Sequence, residues 1–421
     1  MMEENGLPKG WVETTLGEVV DIIMGQSPKG ETCNENSIGM PLLNGPTEFG
    51  VISPIPIQYT TDPKKISNTY DLLFCVRGST TGRMNWSNQK YAIGRGVAAI
   101  RHKNGIDYRK YVKAIIDYKL TNILTGATGT TFPNVSRNQL ESTEILLPPL
   151  PEQKAIANIL TSFDDKIELL QAQNETLETI AQTIFKEWFG KYQVGDELPE
   201  GWRVGKIKEF IVESIGGDYG KEVAIDDFTE KTVCLRGTDL PDMKMGVPQK
   251  APIRFLKKSK LKNCKLINGD IVIEISGGTE NQSTGRVAYI NEEILNNSKF
   301  PMTCVNFCRI LRPKNVENSY FIYSLFEYLY NRKVLFNWEN GTTGIKNLNL
   351  KALLNVFNLA LPVSDHKINE FNKYAKSSFI KIQSNNSQIQ SLQTTRDTLL
   401  PKLMSGQLRV AEFKEQLSEV M

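Results

Sequence analysis

A strict heptad pattern between Pro151 and Phe189 is the feature that most constrains the fold of this chain. Residues recur there at alternating steps of four and three, and all but one of them are apolar. The positions are Phe163, Ile167, Leu170, Asn174, Leu177, Ala181, Ile184 and Trp188. A seam this narrow is typical of a coiled coil, because a helix on a globular core needs a broader apolar face. The pattern therefore predicts a long helix with one partner helix.

The partner helix is predicted further along the same chain, 215 residues after the first seam. The same spacing selects Ser378, Ile382, Asn385, Ile389, Leu392, Arg396, Leu399 and Leu403. Three polar members of the two seams, Asn174, Asn385 and Arg396, are expected to fix register and orientation. Pro401 is expected to kink or end the second helix, unless it starts a separate terminal turn.

The two seams belong to a duplication of the whole chain. Leu7-Pro8-Lys9-Gly10-Trp11 returns as Leu198-Pro199-Glu200-Gly201-Trp202, and Gly82-Arg83 returns as Gly285-Arg286. Further matches occur in the same order, and the separation between the copies only grows along the chain, as small loop insertions would produce. Each half is therefore predicted to contain a globular domain followed by a long helix.

Within each half, the local patterns indicate several strands and one clear helix. Residues 70–76 and 269–275 read as buried strands, and residues 107–124 and 317–336 carry apolar residues at helical spacing. This predicts an α+β fold, with two duplicated domains separated by two long helices that form a pseudo-two-fold symmetric, antiparallel coiled coil. The predicted bounds are 1–150 for the first domain, 151–192 for the central helix, 193–362 for the second domain, and 363–421 for the C-terminal helix and tail.

Composition limits the classes of function. The 421 residues carry a net charge of +3, so a surface for nucleic acid must be a local patch. Six scattered cysteines without a disulfide frame favour a cytoplasmic protein with reduced thiols. No signal peptide, membrane span or metal-ligand spacing is recognisable, and neither of the two histidines lies in a catalytic motif. The chain is predicted to be non-catalytic and to hold no cofactor or metal.

Two windows are basic and free of acidic residues, from Leu72 to Ile106 and from Met243 to Gly269. Arginines in glycine-flanked turns are candidates for reading bases, and the lysines are candidates for phosphate contacts. The predicted DNA-binding residues are Arg77, Arg83, Lys90, Arg95, Arg236, Arg254, Lys257, Lys258, Lys260 and Arg286. The windows fall on different parts of the two repeats, and a solvated basic face is the alternative interpretation of either window alone.

Along essentially its whole length, the sequence resembles the specificity subunit of type I restriction-modification systems. The resemblance rests on the Leu-Pro-x-Gly-Trp start of each half, the Asp-Leu-Leu-Phe run that leads to Gly82-Arg83, and the proline-rich residues 147–154. It also rests on residues 129–136 and on the Leu-Pro-Lys-Leu-Met-Ser-Gly segment at 400–406. The second half departs from the pattern at residues 347–349 and 361–366.

The resemblance implies two target-recognition domains, each reading one half of a bipartite, asymmetric site in double-stranded DNA. It also implies that the helices space the domains and dock two methyltransferase subunits. S-adenosylmethionine, ATP and magnesium would then belong to the methyltransferase and motor-nuclease partners. The predicted seam, from Phe163 to Trp188, is roughly 39 Å long at about 1.5 Å per residue, a little over one turn of B-DNA. The alternative function is a coiled-coil scaffold without sequence-specific DNA binding.

Overall fold

The computed structural model describes residues 7–50, 53–127, 133–192, 196–246, 250–279, 281–341 and 346–411. Two sequence motifs lie partly outside these residues, namely Gly129 to Ser136 and its counterpart Gly341-Thr342-Thr343. The chain divides into two compact units. Unit 1 combines Met1–Ile167 with Leu392–Met421, and unit 2 is Glu168–Ser391. Each unit therefore holds one globular domain and a part of both long helices.

The helices of the described residues include the two predicted long ones. In chain order they are α1 (Leu16–Val19), α2 (Arg109–Thr125), α3 (Arg137–Glu141), α4 (Leu150–Phe189), α5 (Lys258–Cys264), α6 (Glu292–Asn297), α7 (Ser319–Asn331), α8 (Leu350–Val356) and α9 (His366–Met404). The two helices predicted within the domains correspond to α2 and α7, and the shorter helices are additional. The helix α9 contains Pro401 and ends one turn later, where Ser405 N donates to Pro401 O at 3.0 Å. Pro401 does not itself end the helix, because in the last turn a proline removes little of the hydrogen-bond ladder.

Unit 1 is built from eleven strands in the part of it that the structure describes. They are β1 (Val12–Thr15), β2 (Val20–Met24), β3 (Cys33–Asn34), β4 (Met40–Leu43), β5 (Gln58–Thr60), β6 (Ile66–Ser67), β7 (Leu72–Cys75), β8 (Met84–Trp86), β9 (Tyr91–Ile93), β10 (Val97–His102) and β11 (Glu144–Leu147). They form three sheets, ordered β1-β11, β2-β10-β7-β8 and β3-β5-β4-β9-β6. The pair β4 and β9 is parallel, with Leu43 opposite Ile93.

Unit 2 repeats this arrangement, with differences in its edge strands. The strands are β12 (Trp202–Lys206), β13 (Ile211–Gly216), β14 (Phe228–Leu235), β15 (Ile253–Lys257), β16 (Ile271–Glu274), β17 (Ser276–Gly277), β18 (Val287–Tyr289), β19 (Met302–Cys304), β20 (Cys308–Pro313), β21 (Glu339–Asn340), β22 (Lys346–Leu348) and β23 (Asn358–Pro362). The sheets β12-β23 and β13-β20-β16-β18 match the first two sheets of unit 1. The sheet β15-β14-β19 keeps the parallel pair, with Leu235 opposite Cys304. Unit 2 also contains the sheet β17-β22-β21, and among the described residues of unit 1 the corresponding place holds a bridge between Arg77 and Asn134.

The same buried ion pair supports the central sheet of both units. Asp71 accepts a hydrogen bond from Arg101 at 2.7 Å and from the backbone of Asn68 at 2.7 Å. Asp270 accepts two from Arg312, at 2.9 Å each, and one from the backbone of Ile267 at 2.9 Å. Burial raises the pKa of both aspartates, although the arginine and the backbone donor oppose that shift. A specific polar arrangement retained in both copies indicates that the units share a fold by duplication.

Within unit 1, the first part of α4 and the last part of α9 pair in antiparallel directions. Asp164 accepts from Arg396 at 2.7 Å, and Glu152, twelve residues earlier, accepts from Arg409 at 2.7 and 2.9 Å. Glu152 also accepts from the indole of Trp11 at 3.1 Å. The carboxylate that could have capped α4 therefore joins the first repeat motif to the segment that follows α9.

Within unit 2, the other parts of the two helices are also antiparallel, and amides join them. Asn174 donates to Asn386 at 2.7 Å, while Asn385 donates to Asn174 at 2.8 Å. Further along α4, the ring of Phe185 packs against that of Phe371, with centroids 5.4 Å apart. Since α4 ascends in number while its contacts on α9 descend, the two helices run in opposite directions.

Candidate nucleic-acid interface

In unit 1, several turns converge at one end of the parallel strand pair. We name them turn cluster 1, comprising residues 25–27, 44–50, 77–83 and 94–96. Backbone hydrogen bonds hold the cluster together, from Gln26 N to Ile93 O at 2.9 Å, from Gly94 N to Leu43 O at 2.8 Å and from Val76 N to Gly96 O at 3.0 Å. The backbone of Gly25 approaches so closely that a Cβ would lie 2.1 Å from Gly94 O. The turns are therefore fixed in position, as a reading surface requires.

Three of the predicted DNA-binding arginines lie in turn cluster 1. Arg77 and Arg95 are exposed, and within the described ranges their side chains form no ion pair. Arg83 is also exposed, but its guanidinium donates to the carbonyl oxygens of Pro46 at 3.2 Å and Phe49 at 2.9 Å. Arg83 thus braces one turn of the cluster, while the other two guanidinium groups face solvent.

Lys90 is exposed too, but it lies outside turn cluster 1. It precedes β9, whereas Arg95 follows that strand, so the two residues lie at opposite ends of β9. The neighbouring Tyr91 is fully buried, and its hydroxyl donates to Asn88 Oδ1 at 2.5 Å. This tyrosine, which the sequence pattern interleaves with the basic residues, belongs to the core.

The corresponding turns of unit 2 form turn cluster 2, comprising residues 217–219, 235–238, 275–279 and 305–307. Equivalent backbone bonds hold it, from Asp218 N to Cys304 O, from Val305 N to Leu235 O and from Ile275 N to Phe307 O, at 2.8, 2.9 and 2.8 Å. The two clusters therefore have the same frame.

The frame of turn cluster 2 carries different side chains. Arg236 donates to both carboxylate oxygens of the buried Asp239, at 2.9 and 2.8 Å. Arg286, the repeat counterpart of Arg83, donates to both oxygens of the buried Glu274, at 2.9 and 2.6 Å. These two predicted DNA-binding arginines are engaged in bidentate ion pairs, which use Nε and one Nη2 hydrogen and hold each guanidinium in place.

The second basic window lies beside turn cluster 2, on β15 and α5. Arg254 donates to the hydroxyl of Tyr219 at 2.7 Å, with its guanidinium 4.7 Å from the ring centroid of a tyrosine that is 45% exposed. Lys257 pairs with Asp227 at 3.4 Å. Lys258 and Lys260 are exposed on α5, and no ion pair of theirs occurs among the described residues. The lysines of α5 are therefore available to phosphates.

Sequence reasoning did not single out two exposed aromatic residues of turn cluster 2, Tyr219 and Phe307. Phe307 is 60% exposed at the tip of the turn between β19 and β20. A large aromatic residue at a turn gives no periodic signal in a sequence. Aligning the two copies at this turn would have placed Phe307 opposite Gly96.

The predicted helix-pairing residues differ in their burial. Ile167, Leu170, Ile382, Ile389 and Leu403 are buried. Half-buried members are Phe163, Asn174, Leu177, Ile184, Trp188, Leu392 and Leu399. Towards the end of α4 the innermost side chains are those of Phe185 and Phe189, which join the aromatic core of unit 2. The strict seam therefore widens where α4 lies on the globular part of unit 2.

No feature of a metal or membrane site is found in the part of the chain that the structure describes. Groups of three or more His, Cys, Asp or Glu side chains arranged for a metal are absent there. The helices described are also too short or too polar to cross a bilayer.

Burial raises the pKa of Cys234 and Cys308 to about 12, so both thiols stay protonated and unreactive at neutral pH.

Comparison with known proteins assigns the chain to a family. The family of type I restriction modification DNA specificity domains matches it twice, over residues 8–179 and 199–371. These two matches span most of the sequence, and the chain belongs to this family. Each matched segment begins near a Leu-Pro-x-Gly-Trp motif, as the internal duplication requires.

Individual relatives agree with that assignment. A Methanocaldococcus jannaschii protein, named as the MjaX specificity subunit of a type I restriction enzyme, is 38% identical over 42% of this chain and 42% of its own length. The MjaIX specificity subunit of the same organism is 29% identical over 68% of this chain and 65% of its own length. The alignments thus span less than two thirds of either relative.

A solved structure shares the fold. The type I restriction-modification S subunit from M. genitalium superposes with a TM-score of 0.59 and 19% sequence identity, covering 96% of this chain and 98% of the other. The predicted α+β class, the two tandem domains and the pairing of the long helices are confirmed.

Proposed function

We propose that this chain is the DNA sequence-specificity subunit of a type I restriction-modification enzyme. Each recognition domain would read one half of a bipartite, asymmetric site, and the paired helices would set the spacing and dock methyltransferase subunits. The observation that carries the proposal is the double match to a DNA specificity domain, with each copy presenting a rigid turn cluster beside exposed cations.

The division of labour in the proposed complex follows from the chemistry of the chain. Specificity requires donors and acceptors held at base edges, and affinity requires cations near phosphates. Turn cluster 1 offers the exposed Arg77 and Arg95 for the first task, and Lys258 and Lys260 of α5 suit the second. Methylation and cleavage would reside in partners, with S-adenosylmethionine on the methyltransferase subunits and with ATP and magnesium on the motor-nuclease subunits. A cytoplasmic location accords with six unpaired cysteines among the described residues.

The proposal is tested on the chain assembled with its modification subunits. Methylation of a random-sequence DNA library, followed by modification-sensitive sequencing, should reveal two short motifs separated by a fixed, unread spacer. Exchange of residues 1–150 for the same region of another such subunit should change one motif and leave the other intact. A single contiguous motif, or a change in both halves, would contradict the proposal. Absence of any sequence preference would favour the scaffold alternative.

A further inference from the structure

The turn between β19 and β20 occupies the same place in unit 2 as the turn between β9 and β10 in unit 1. In both units the parallel strand pair ends here, with Leu43 opposite Ile93 and Leu235 opposite Cys304. The strand that follows the turn is part of the central sheet in both units, where β10 pairs antiparallel with β7 and β20 pairs antiparallel with β16. Counted from these pairs, Asn306 and Phe307 stand where unit 1 has Arg95 and Gly96.

The backbone beneath Phe307 is held firmly. Its carbonyl oxygen accepts hydrogen bonds from Ile275 N at 2.8 Å and from Ser276 N at 3.2 Å, while Cys308 N donates to Val305 O at 2.9 Å. A ring that is 60% exposed thus projects from a turn that cannot easily withdraw it. Aromatic residues are enriched in interfaces, and a ring held on a fixed turn loses little conformational freedom when it contacts another molecule.

The surroundings of Phe307 favour contact with bases over contact with phosphates. Arg236 and Arg286 are held by Asp239 and Glu274, and Lys346 pairs with Glu339 at 3.3 Å. Arg309 is half-buried against Gly216. The exposed groups near the turn include the amides of Asn306 and Asn347, and Asn347 accepts from Ser276 Oγ at 2.7 Å. Amides can hydrogen-bond base edges and an apolar ring can pack against a thymine methyl, whereas a phenyl ring offers a phosphate neither a hydrogen-bond donor nor a positive charge.

We propose that Phe307 is a specificity-determining residue that packs against the methyl group of a thymine in the half-site read by unit 2. The inference rests on the proposed function. In the major groove the C5-methyl of thymine is the apolar group that distinguishes a base pair, and an aromatic ring on a rigid turn is a suitable partner for it. Unit 2 would thus read its half-site by apolar and amide contacts, at the place where unit 1 carries the exposed guanidinium of Arg95.

The decisive experiment removes the methyl group from the DNA and the ring from the protein. Binding of the assembled complex is measured to its own site, and to sites in which each thymine of the unit 2 half is replaced by uracil. For the unaltered protein, one uracil should weaken binding by about three- to thirtyfold. Phe307→Ala should weaken binding to the thymine site by a similar factor and abolish the difference between thymine and uracil. Phe307→Leu should retain part of that difference.

Two controls separate this role from structural and electrostatic effects. Val363→Ala removes another exposed apolar side chain, 62% exposed and outside turn cluster 2, and should leave the thymine-to-uracil ratio unchanged. Phe307→Ala should also keep the salt dependence of binding, since no charge is lost. Arg95→Ala should lower the slope of log K against log salt by about one if its guanidinium contacts a phosphate, and by less if it contacts a base.

Several outcomes would overturn the inference. An unchanged thymine-to-uracil ratio in Phe307→Ala, or an effect confined to the unit 1 half-site, would exclude the contact. A half-site without a T·A pair would also exclude it. Loss of modification-subunit binding, with an unchanged sequence profile, would make Phe307 a protein-docking residue. If the unaltered complex shows no sequence preference in the same assay, the proposed function fails as well.

Discussion

Arg83 and Arg286 occupy equivalent positions in the two units, yet they have different surroundings. Each arginine follows a glycine that is equivalent in the two repeats. Each also directly precedes an edge strand of the central sheet, β8 in unit 1 and β18 in unit 2. Arg83 is exposed and binds two backbone carbonyls. Arg286 is largely buried and binds Glu274, whose side chain is 3% exposed. The residue of unit 1 equivalent to Glu274 is Cys75, which is neutral.

This contrast shows how two copies of the same backbone arrangement can present different side chains to solvent. One carboxylate on a buried strand draws an arginine into the unit, since a buried charge without a partner is costly. Turn cluster 2 retains Arg236, which Asp239 holds, and its exposed groups include the amide of Asn306 and the rings of Tyr219 and Phe307. Turn cluster 1, without such a carboxylate, keeps its guanidinium groups at the surface. The predictions that follow test this contrast, in order of decreasing expected effect.

Glu274→Gln should produce the largest loss of stability. It leaves Arg286 in its buried position without a countercharge, which costs roughly 3–5 kcal/mol in the free energy of unfolding of unit 2. Hydrogen exchange resolved by segment during denaturant unfolding should place the loss in unit 2. Cys75→Ser is the matched substitution in unit 1, and it should cost much less. Equal losses in the two units would contradict the contrast.

Asn385→Ala should have the next largest effect, also in unit 2. Asn385 is fully buried and donates to both Gln173 and Asn174, so Asn385→Ala removes two hydrogen bonds to α4. We expect a loss of about 1–3 kcal/mol that is insensitive to salt, because no charge is removed. Equilibrium unfolding at two ionic strengths measures it. A loss that shrinks at high salt would indicate an electrostatic origin instead.

Arg396→Met should have a smaller effect on unit 1. The side chains of Arg396 and Asp164 are 30% and 27% exposed, so solvent screens their ion pair. We expect a loss of up to about 1 kcal/mol that decreases as salt is added. The same two-salt unfolding measurement would distinguish this charged seam from the amide seam of unit 2. Salt dependence identical to that of Asn385→Ala would remove the distinction.

A dependence on pH should give the smallest effect, in unit 1. His102 is buried, stacks on Tyr108 and hydrogen-bonds Gln153, and burial lowers its pKa below the ordinary value of 6.5. The unfolded chain therefore binds a proton that the folded unit resists, so stability declines as pH falls below about 6.5. His102→Gln should flatten the decline between pH 7 and pH 5. An unchanged decline would assign it to other groups.

Much of the architecture could be predicted from sequence because it depends on repetition and periodicity. The heptads between Phe163 and Trp188 determine a narrow seam, and a narrow seam requires a helical partner. The ordered repeats determine that whatever fold the first domain adopts, the second adopts too. The buried runs at 72–75 and 271–274 became central strands, since period and burial are local properties.

Tertiary structure decided which individual side chains are exposed at the surface and which are buried or paired. The sequence lists Arg83 and Arg286 as equivalent basic residues in glycine-flanked turns, and only the strand beneath them reveals that one is paired with a buried carboxylate. Phe185 and Phe189 enter the core of unit 2 because α4 there packs against a globular surface as well as against α9. Charge and apolar spacing can be read from the sequence, but whether a side chain is free to contact another molecule depends on neighbours that are distant in sequence.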